Sequence, residues 1–283
     1  MILSRVDAPF PHWRFTAASG DQLQVVPERG GLITGWRCNG EERLYFDAER
    51  FADPSKSVRG GIPVLFPVCG NLPGNQLVLP QGSFPMAQHG FARDLPWQLE
   101  ALASEDGVRL VLNDSPATRT AYPFTFSLTL EVRLEPQALA LVAVVEHRGS
   151  AGVAMPFAFG LHPYFRVDSL AQARVEGLPE RCFDHLSAAD AVTAEQLTRL
   201  EQGVDLRLDL QVEQDPAPRL HTGLGEAVEL HMQPPFAHAV LWSDPPRPML
   251  CLEPWSARRG ELGLQLEPGE RCELRCRYLL SPA

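Results

Sequence analysis

Apolar and polar residues alternate along most of this chain. The clearest run is Phe124-Thr125-Phe126-Ser127-Leu128-Thr129-Leu130-Glu131-Val132-Arg133-Leu134, in which every even position is apolar. A period of two sends successive side chains to opposite faces of an extended backbone, so the run predicts a half-buried strand. Ala138 to Glu146 follows after Glu135-Pro136-Gln137, a break with turn character, and the two segments predict an antiparallel hairpin. The same reading predicts strands at 22–27, 108–113, 206–212, 227–232, 238–242, 249–253 and 271–279. Helical periodicity is scarce. Its best candidate is 188–201, opening near Ser187 or Thr193 and ending at Gly203.

Twenty-six prolines and 22 glycines punctuate these segments, which suits short strands joined by turns better than a helical bundle. No repeat recurs at propeller or solenoid spacing. The expected fold is therefore all-β, a large antiparallel β-sandwich of two stacked sheets with little helix. A chain of 283 residues with 45% hydrophobic content can bury a large core, and no Ser/Gly-rich or charge-rich linker divides it. Residues 1–283 are expected to form a single domain.

Charge narrows the partners. A formal net charge of −10 disfavours nucleic acid and anionic membranes, both of which reward basic surfaces. Lys56 is the only lysine, so nearly every positive charge is an arginine, suited to forked contacts with carboxylate or phosphate. The six cysteines, at 38, 69, 182, 251, 272 and 276, form no CxxC pair or finger-like spacing and read as reduced thiols. Cys272 and Cys276 would share a strand face about 13 Å apart, too far to bridge. Arg5, Asp7, Pro9 and Pro11 interrupt any apolar run long enough for secretion, and no stretch is long enough to span a bilayer. A cytoplasmic location is the expectation; the pattern specifies no oligomeric state.

Candidate chemistry concentrates at a few strand ends and turns. His89 lies in Gln88-His89-Gly90-Phe91-Ala92-Arg93, where the glycine permits a tight turn or a close backbone approach. His162 lies inside the apolar and aromatic stretch 157–165, where burial would lower its pKa and a nearby carboxylate would raise it. Glu253 sits in Leu250-Cys251-Leu252-Glu253-Pro254-Trp255, a setting so apolar that a specific partner is required. Two imidazoles, a carboxylate and an arginine can move protons on a polar substrate without metal or organic cofactor. Arg59 opens Arg59-Gly60-Gly61-Ile62-Pro63, where the double glycine would let backbone approach a ligand, and with Arg93 it could clamp an anion. From the residues alone, surface ion pairs with Asp53 and Asp94 are the favoured account of both arginines. Asp184, after Cys182-Phe183, reads either as an acceptor for ligand hydroxyls or as a turn cap. No P-loop or dinucleotide fingerprint is present.

Four segments carry a family resemblance. RGGIPVLFPVCG at 59–70, QHGFAR at 88–93, FGLHPYF at 159–165 and CLEPW at 251–255 resemble, in order, the aldose 1-epimerase group and especially its hexose-6-phosphate mutarotase branch. The resemblance implies a galactose-mutarotase-like supersandwich and no cofactor. It implies Glu253 as the base for the anomeric hydroxyl, His162 as the acid for the ring oxygen, and His89 as a polarising hydrogen-bond partner. Arg59, Arg93 and Gln88 would contact the phosphoryl group of a hexose 6-phosphate such as glucose 6-phosphate, and Asp184 would match a sugar-binding aspartate. Ser256-Ala257-Arg258-Arg259 departs from the family's commoner continuation, which leaves the choice of sugar open.

In this scheme Glu253 begins as an anion and His162 as a cation. Other readings remain at this point: a free-aldose mutarotase, a non-catalytic carbohydrate-binding protein, and a metal enzyme whose two histidines and glutamate form a facial triad. A glycosidase would need a second prominent carboxylate.

Overall fold

A computed structural model describes residues 2–150, 152–210 and 216–282. Two antiparallel sheets dominate it. The first runs in the order Arg174–Glu176, Arg219–His221, Glu226–Met232, Arg271–Pro282, Ala138–His147, Phe126–Glu135, Gly107–Asn113 and Gln98–Ala101. The second runs Ala189–Val192, Arg181–Asp184, Asp205–Asp209, His238–Trp242, Met249–Trp255, Gly160–Leu161 and Val64–Leu65, with Tyr164–Arg166 also paired to Met249–Trp255. A five-stranded sheet from Ile2–Val6 to Glu41–Glu42 joins this second sheet through backbone bridges from Ile33 to Ile62 and from Leu44 to Phe165.

The predicted hairpin is present. Phe126–Glu135 pairs with Ala138–His147, Leu128 opposite Val145 and Leu130 opposite Ala143. The even positions of the first strand are buried, as the alternation requires. Arg271–Pro282 runs down the middle of this sheet and buries Leu274, Cys276, Tyr278 and Leu280 from the same face. Facing them are Phe165, Leu250 and Leu252 of the other sheet: the Phe165 and Tyr278 rings are 4.9 Å apart, and the Tyr278 hydroxyl donates to the Leu252 carbonyl at 3.1 Å. All seven residues of Met249–Trp255 are buried. One face, Leu250 and Leu252, belongs to the sandwich core. The other, Met249, Cys251, Glu253 and Trp255, points away from it and needs separate cover.

Three readings from the sequence change. The candidate helix 188–201 is mostly something else: Ala189–Val192 is a strand paired with Arg181–Asp184, and only Thr193–Leu197 is helical. A turn at Asp184–Ser187 folds this segment back on its neighbour, and pairing overrides the helical preference of the alanines. The strand predicted at 206–212 is observed as Asp205–Asp209, and positions 211 and 212 lie outside the described residues. Gly60 and Gly61 are required by close approaches within the protein's own backbone. Both have positive φ, 129° and 68°, and a Cβ on them would lie 2.5 Å from the Tyr45 carbonyl and 2.2 Å from that of Ile33.

All six cysteines are unpaired. Among the described residues no helix is long and apolar enough to cross a membrane. Replacing Tyr278 by phenylalanine removes the hydroxyl that ties the two sheets together and should lower the unfolding free energy by about 1–2 kcal/mol. A reduced urea midpoint with an unchanged denaturant slope is the expected signature; an unchanged midpoint would mean the hydrogen bond is not made.

Candidate active site

The uncovered face of Met249–Trp255 carries a carboxylate, and the next strand over covers it. Tyr164 lies opposite Cys251 in register, which brings His162 across from Glu253. His162 Nε2 is 3.4 Å from Glu253 Oε1, and the Trp255 indole N–H donates to Glu253 Oε2 at 3.0 Å. The imidazole stacks on Tyr164 at 4.7 Å and 11° and meets Trp242 edge-on at 5.5 Å. Its other edge faces His89, 5.7 Å away, which in turn stands 5.8 Å from Trp255. His162, Glu253 and His89, more than 160 positions apart in sequence at the extremes, thus share one aromatic-walled pocket.

His89 is held by local backbone geometry. Its φ is +66°, a left-handed conformation uncommon outside glycine, and Gly90 follows at +72°. A Cβ on Gly90 would lie 2.1 Å from the Phe66 carbonyl, so the close approach read from the sequence is to that strand. The Gly70 amide donates to His89 Nδ1 at 3.0 Å. A nitrogen that accepts carries no proton, so the ring proton resides on Nε2, which faces the Gln88 side-chain amide at 3.3 Å. The amide oxygen is the end that satisfies it. Burial first, then the fields of His162, Arg93, Arg259 and Arg59, hold His89 well below the usual imidazole range. It is a neutral donor.

Electrostatics overturn the starting charges expected from the sequence. Burial, with Arg93 and Arg59 adding to it, pushes His162 down to about 3. Burial also pushes Glu253 well above the carboxylate range; the Trp255 hydrogen bond and Arg259 oppose that and Asp205 reinforces it. Both directions favour an uncharged pair, with the shared proton on Glu253 and the facing nitrogen of His162, Nε2, left as an acceptor. Desolvation outweighs the attraction an ion pair would gain.

The arginines ring this pocket and have protein partners. Arg59 donates from Nε to Asp244 Oδ2 at 3.2 Å, not to Asp53, which pairs with Lys56. Its guanidinium carbon lies 5.6 Å from the Trp242 ring centre. Arg247 also donates to Asp244 Oδ2, at 2.7 Å. Arg93 donates to the Gln88 carbonyl at 2.9 Å and lies 3.8 Å from Asp94, as the ion-pair reading anticipated. Asp184 is buried, and its two oxygens accept from the Leu186 amide at 2.9 Å and the Ser187 hydroxyl at 2.7 Å. Those bonds match the turn-cap reading.

Several residues at the site carried no usable sequence signal. Arg259 donates to both oxygens of Asp205, at 3.2 and 2.9 Å, and both residues act on Glu253. Arg259 lies in the segment that departs from the family pattern, and Asp205 resembles any outward charge on an alternating strand. Trp242 and Tyr164 wall the His162 ring. Cys251 is two residues from Glu253 on the same strand face. Its Sγ, a Glu253 oxygen and a His162 nitrogen all lie within 4.8 Å of one another, a donor set able to hold a metal ion.

Because folding must keep His162 uncharged, acid should strain the native state. A histidine held at about 3 against about 6.5 when exposed contributes stability that is fully present above about pH 6.5 and is lost as pH falls toward 3. Subtracting the urea unfolding curves of His162→Gln from those of the parent protein should reveal this slope; a flat difference between pH 6.5 and 3 would show an unburdened imidazole.

Residues 14–279 match the aldose 1-epimerase family. A protein of Cenchrus ciliaris named "Putative glucose-6-phosphate 1-epimerase" is 31% identical over 175 residues, 58% of this chain and 50% of that protein. The chain thus spans about half the length of this curated relative. The crystal structure of the Slr1438 protein from Synechocystis sp. PCC 6803 is 31% identical, with a TM-score of 0.87 over 100% of this chain and 96% of that one. A galactose mutarotase-like protein from Clostridium acetobutylicum, 16% identical, shares the fold with a TM-score of 0.81 over 100% and 99% of the two chains. The fold is that of the galactose mutarotase-like proteins, and from the span of the family match the chain belongs to the aldose 1-epimerase family.

Proposed function

We propose that this protein interconverts the α and β anomers of an aldohexose by acid–base ring opening, with a hexose 6-phosphate such as glucose 6-phosphate as its preferred substrate. The observation that carries the reading is the 3.4 Å approach of His162 Nε2 to Glu253 Oε1 inside an aromatic pocket, with a neutral histidine donor on its flank. Relatives named as glucose-6-phosphate 1-epimerases support the phosphorylated substrate.

Ring opening removes a proton from the anomeric hydroxyl and delivers one to the ring oxygen as the C1–O5 bond breaks and a C1 aldehyde forms. Glu253 takes the first proton and His162 Nε2–H gives the second; rotation about C1–C2 and reclosure reverse both transfers. His89 Nε2–H polarises the same oxygen region. Gln88, Arg59 and Arg93 hold the phosphoryl group; Arg59 gives Nε to Asp244 and Nη1 to the Ser57 hydroxyl and the Val58 carbonyl, which leaves Nη2 for the phosphate.

The free pocket keeps its proton on Glu253, whereas the reaction needs it on His162. Substrate supplies the correction. A hydroxyl donating to Glu253 favours the carboxylate, and a phosphate dianion beside Arg59 and Arg93 offsets the two charges that depress His162. Phosphate in this scheme both anchors the sugar and arms the acid. As pH rises, loss of that acid should end activity at a higher pH with glucose 6-phosphate than with glucose, and coincident alkaline limbs for the two sugars would remove this coupling.

Exchange NMR between anomers tests the assignment directly. Glu253→Gln should retain the fold and lower kcat by at least about 10²-fold, the usual contribution of one placed acid or base. Parent-like exchange in that variant would exclude the base. Arg59→Ala should reduce kcat/KM for glucose 6-phosphate far more than for glucose. The internal partners Asp244 and Gln88 favour a second reading, a free-aldose mutarotase with structural arginines, and equal losses for both sugars would establish it.

A further inference from the structure

The face of Met249–Trp255 that bears Glu253 also bears two sulfurs. Cys251 and Met249 lie at positions two and four before it, and their sulfurs are 3.9 Å apart. Cys251 is fully buried and has no role in the anomer exchange described above. We propose that His162, Cys251 and Glu253 form a binding site for a thiophilic divalent cation of the zinc and cadmium class, whose occupancy switches off the acid–base pair.

The geometry is close to that of a tetrahedral site. Zinc bonds nitrogen and oxygen at about 2.0–2.2 Å and sulfur at about 2.3 Å, so neighbouring donors around it stand roughly 3.3–3.7 Å apart. His162 Nε2 and Glu253 Oε1 already stand at 3.4 Å, and Cys251 Sγ must close by no more than about 1 Å, within reach of a side-chain rotation. The fourth position falls to water or to the Met249 thioether. Nitrogen, oxygen and thiolate together suit zinc-like ions rather than magnesium or calcium.

Charge balance limits the affinity. On binding, the Cys251 S–H bond is replaced by a sulfur–metal bond, and its proton leaves together with the one shared by Glu253 and His162. The thiolate and carboxylate then balance the two charges of the cation, so the occupied site adds no net charge to the fields of Arg59 and Arg93. Among the described residues His162 Nδ1 has no hydrogen-bond partner, whereas dedicated metal sites orient their histidines with one. An imidazole without that outer partner suits reversible binding rather than a dedicated metal centre. Metal and sugar need the same atoms, Glu253 Oε1 and His162 Nε2, so they exclude each other. Inhibition rests on the anomer-exchange reading; binding does not.

The test titrates the full chain, first freed of metal by a chelator, with cadmium ion in a non-coordinating buffer. One equivalent should produce a thiolate-to-cadmium charge-transfer band in the ultraviolet and inhibit anomer exchange in parallel, with both effects reversed by chelator. Cys251→Ser should lose the band and bind at least about tenfold more weakly, since even an outer partner of a metal ligand is worth about 10–100-fold. Cys272→Ser, altering the one half-exposed cysteine, should retain both. Should Cys251→Ser not fold, His162→Gln provides the same affinity comparison with the thiol intact. Absence of the band in the parent, its persistence in Cys251→Ser, or its loss in Cys272→Ser would overturn the site. A band that forms normally in a protein whose metal-free form exchanges no anomers would instead overturn the proposed function and leave the metal site standing.

Discussion

An imidazole and a carboxyl group buried 3.4 Å apart set the terms for everything around them. Two opposite charges there would gain from each other, but both would lose hydration, and loss of hydration prevails. The pocket is therefore built around one proton shared by two groups rather than around an ion pair. Trp255, Arg259 and Asp205 act on the carboxylate, while Arg59 and Arg93 act on the imidazole. Each is a means of biasing where that proton rests. The arginines around the pocket therefore matter through their fields as well as through the ion pairs they make.

Much of the fold was legible because sheets write themselves in a two-residue code. The Phe126–Glu135 and Ala138–His147 hairpin and the closing strand follow directly from alternation, since a slip of one residue would expose every apolar side chain. Met249–Trp255 was harder: buried on both faces, it shows a continuous apolar run interrupted by one glutamate, and that glutamate was the legible clue. The helix at 188–201 failed for the opposite reason. Its alanines favour helix locally, and a long-range pairing that no local window contains decided otherwise.

The site divides along similar lines. Residues whose chemistry clashes with their sequence neighbours, His162 among aromatics and Glu253 among aliphatics, announced themselves. Asp205, Arg259, Asp244 and Trp242 did not, because their importance comes from what folds against them. Arg59 shows the limit most clearly: an ion pair was foreseeable, yet its partner stands 185 positions away. The charges of His162 and Glu253 depart from those of exposed side chains for the same reason, since burial is a property of the assembled sandwich.

Leu252 offers a final consequence. Its carbonyl takes the Tyr278 hydroxyl, its side chain fills the sandwich, and the very next residue is Glu253. With no slack between them, any repacking of the interior that tilts this strand must swing the carboxylate against the imidazole facing it. Drift in the hydrophobic interior and upkeep of the Glu253–His162 spacing are mechanically one process in this chain, so selection on either will be felt by the other.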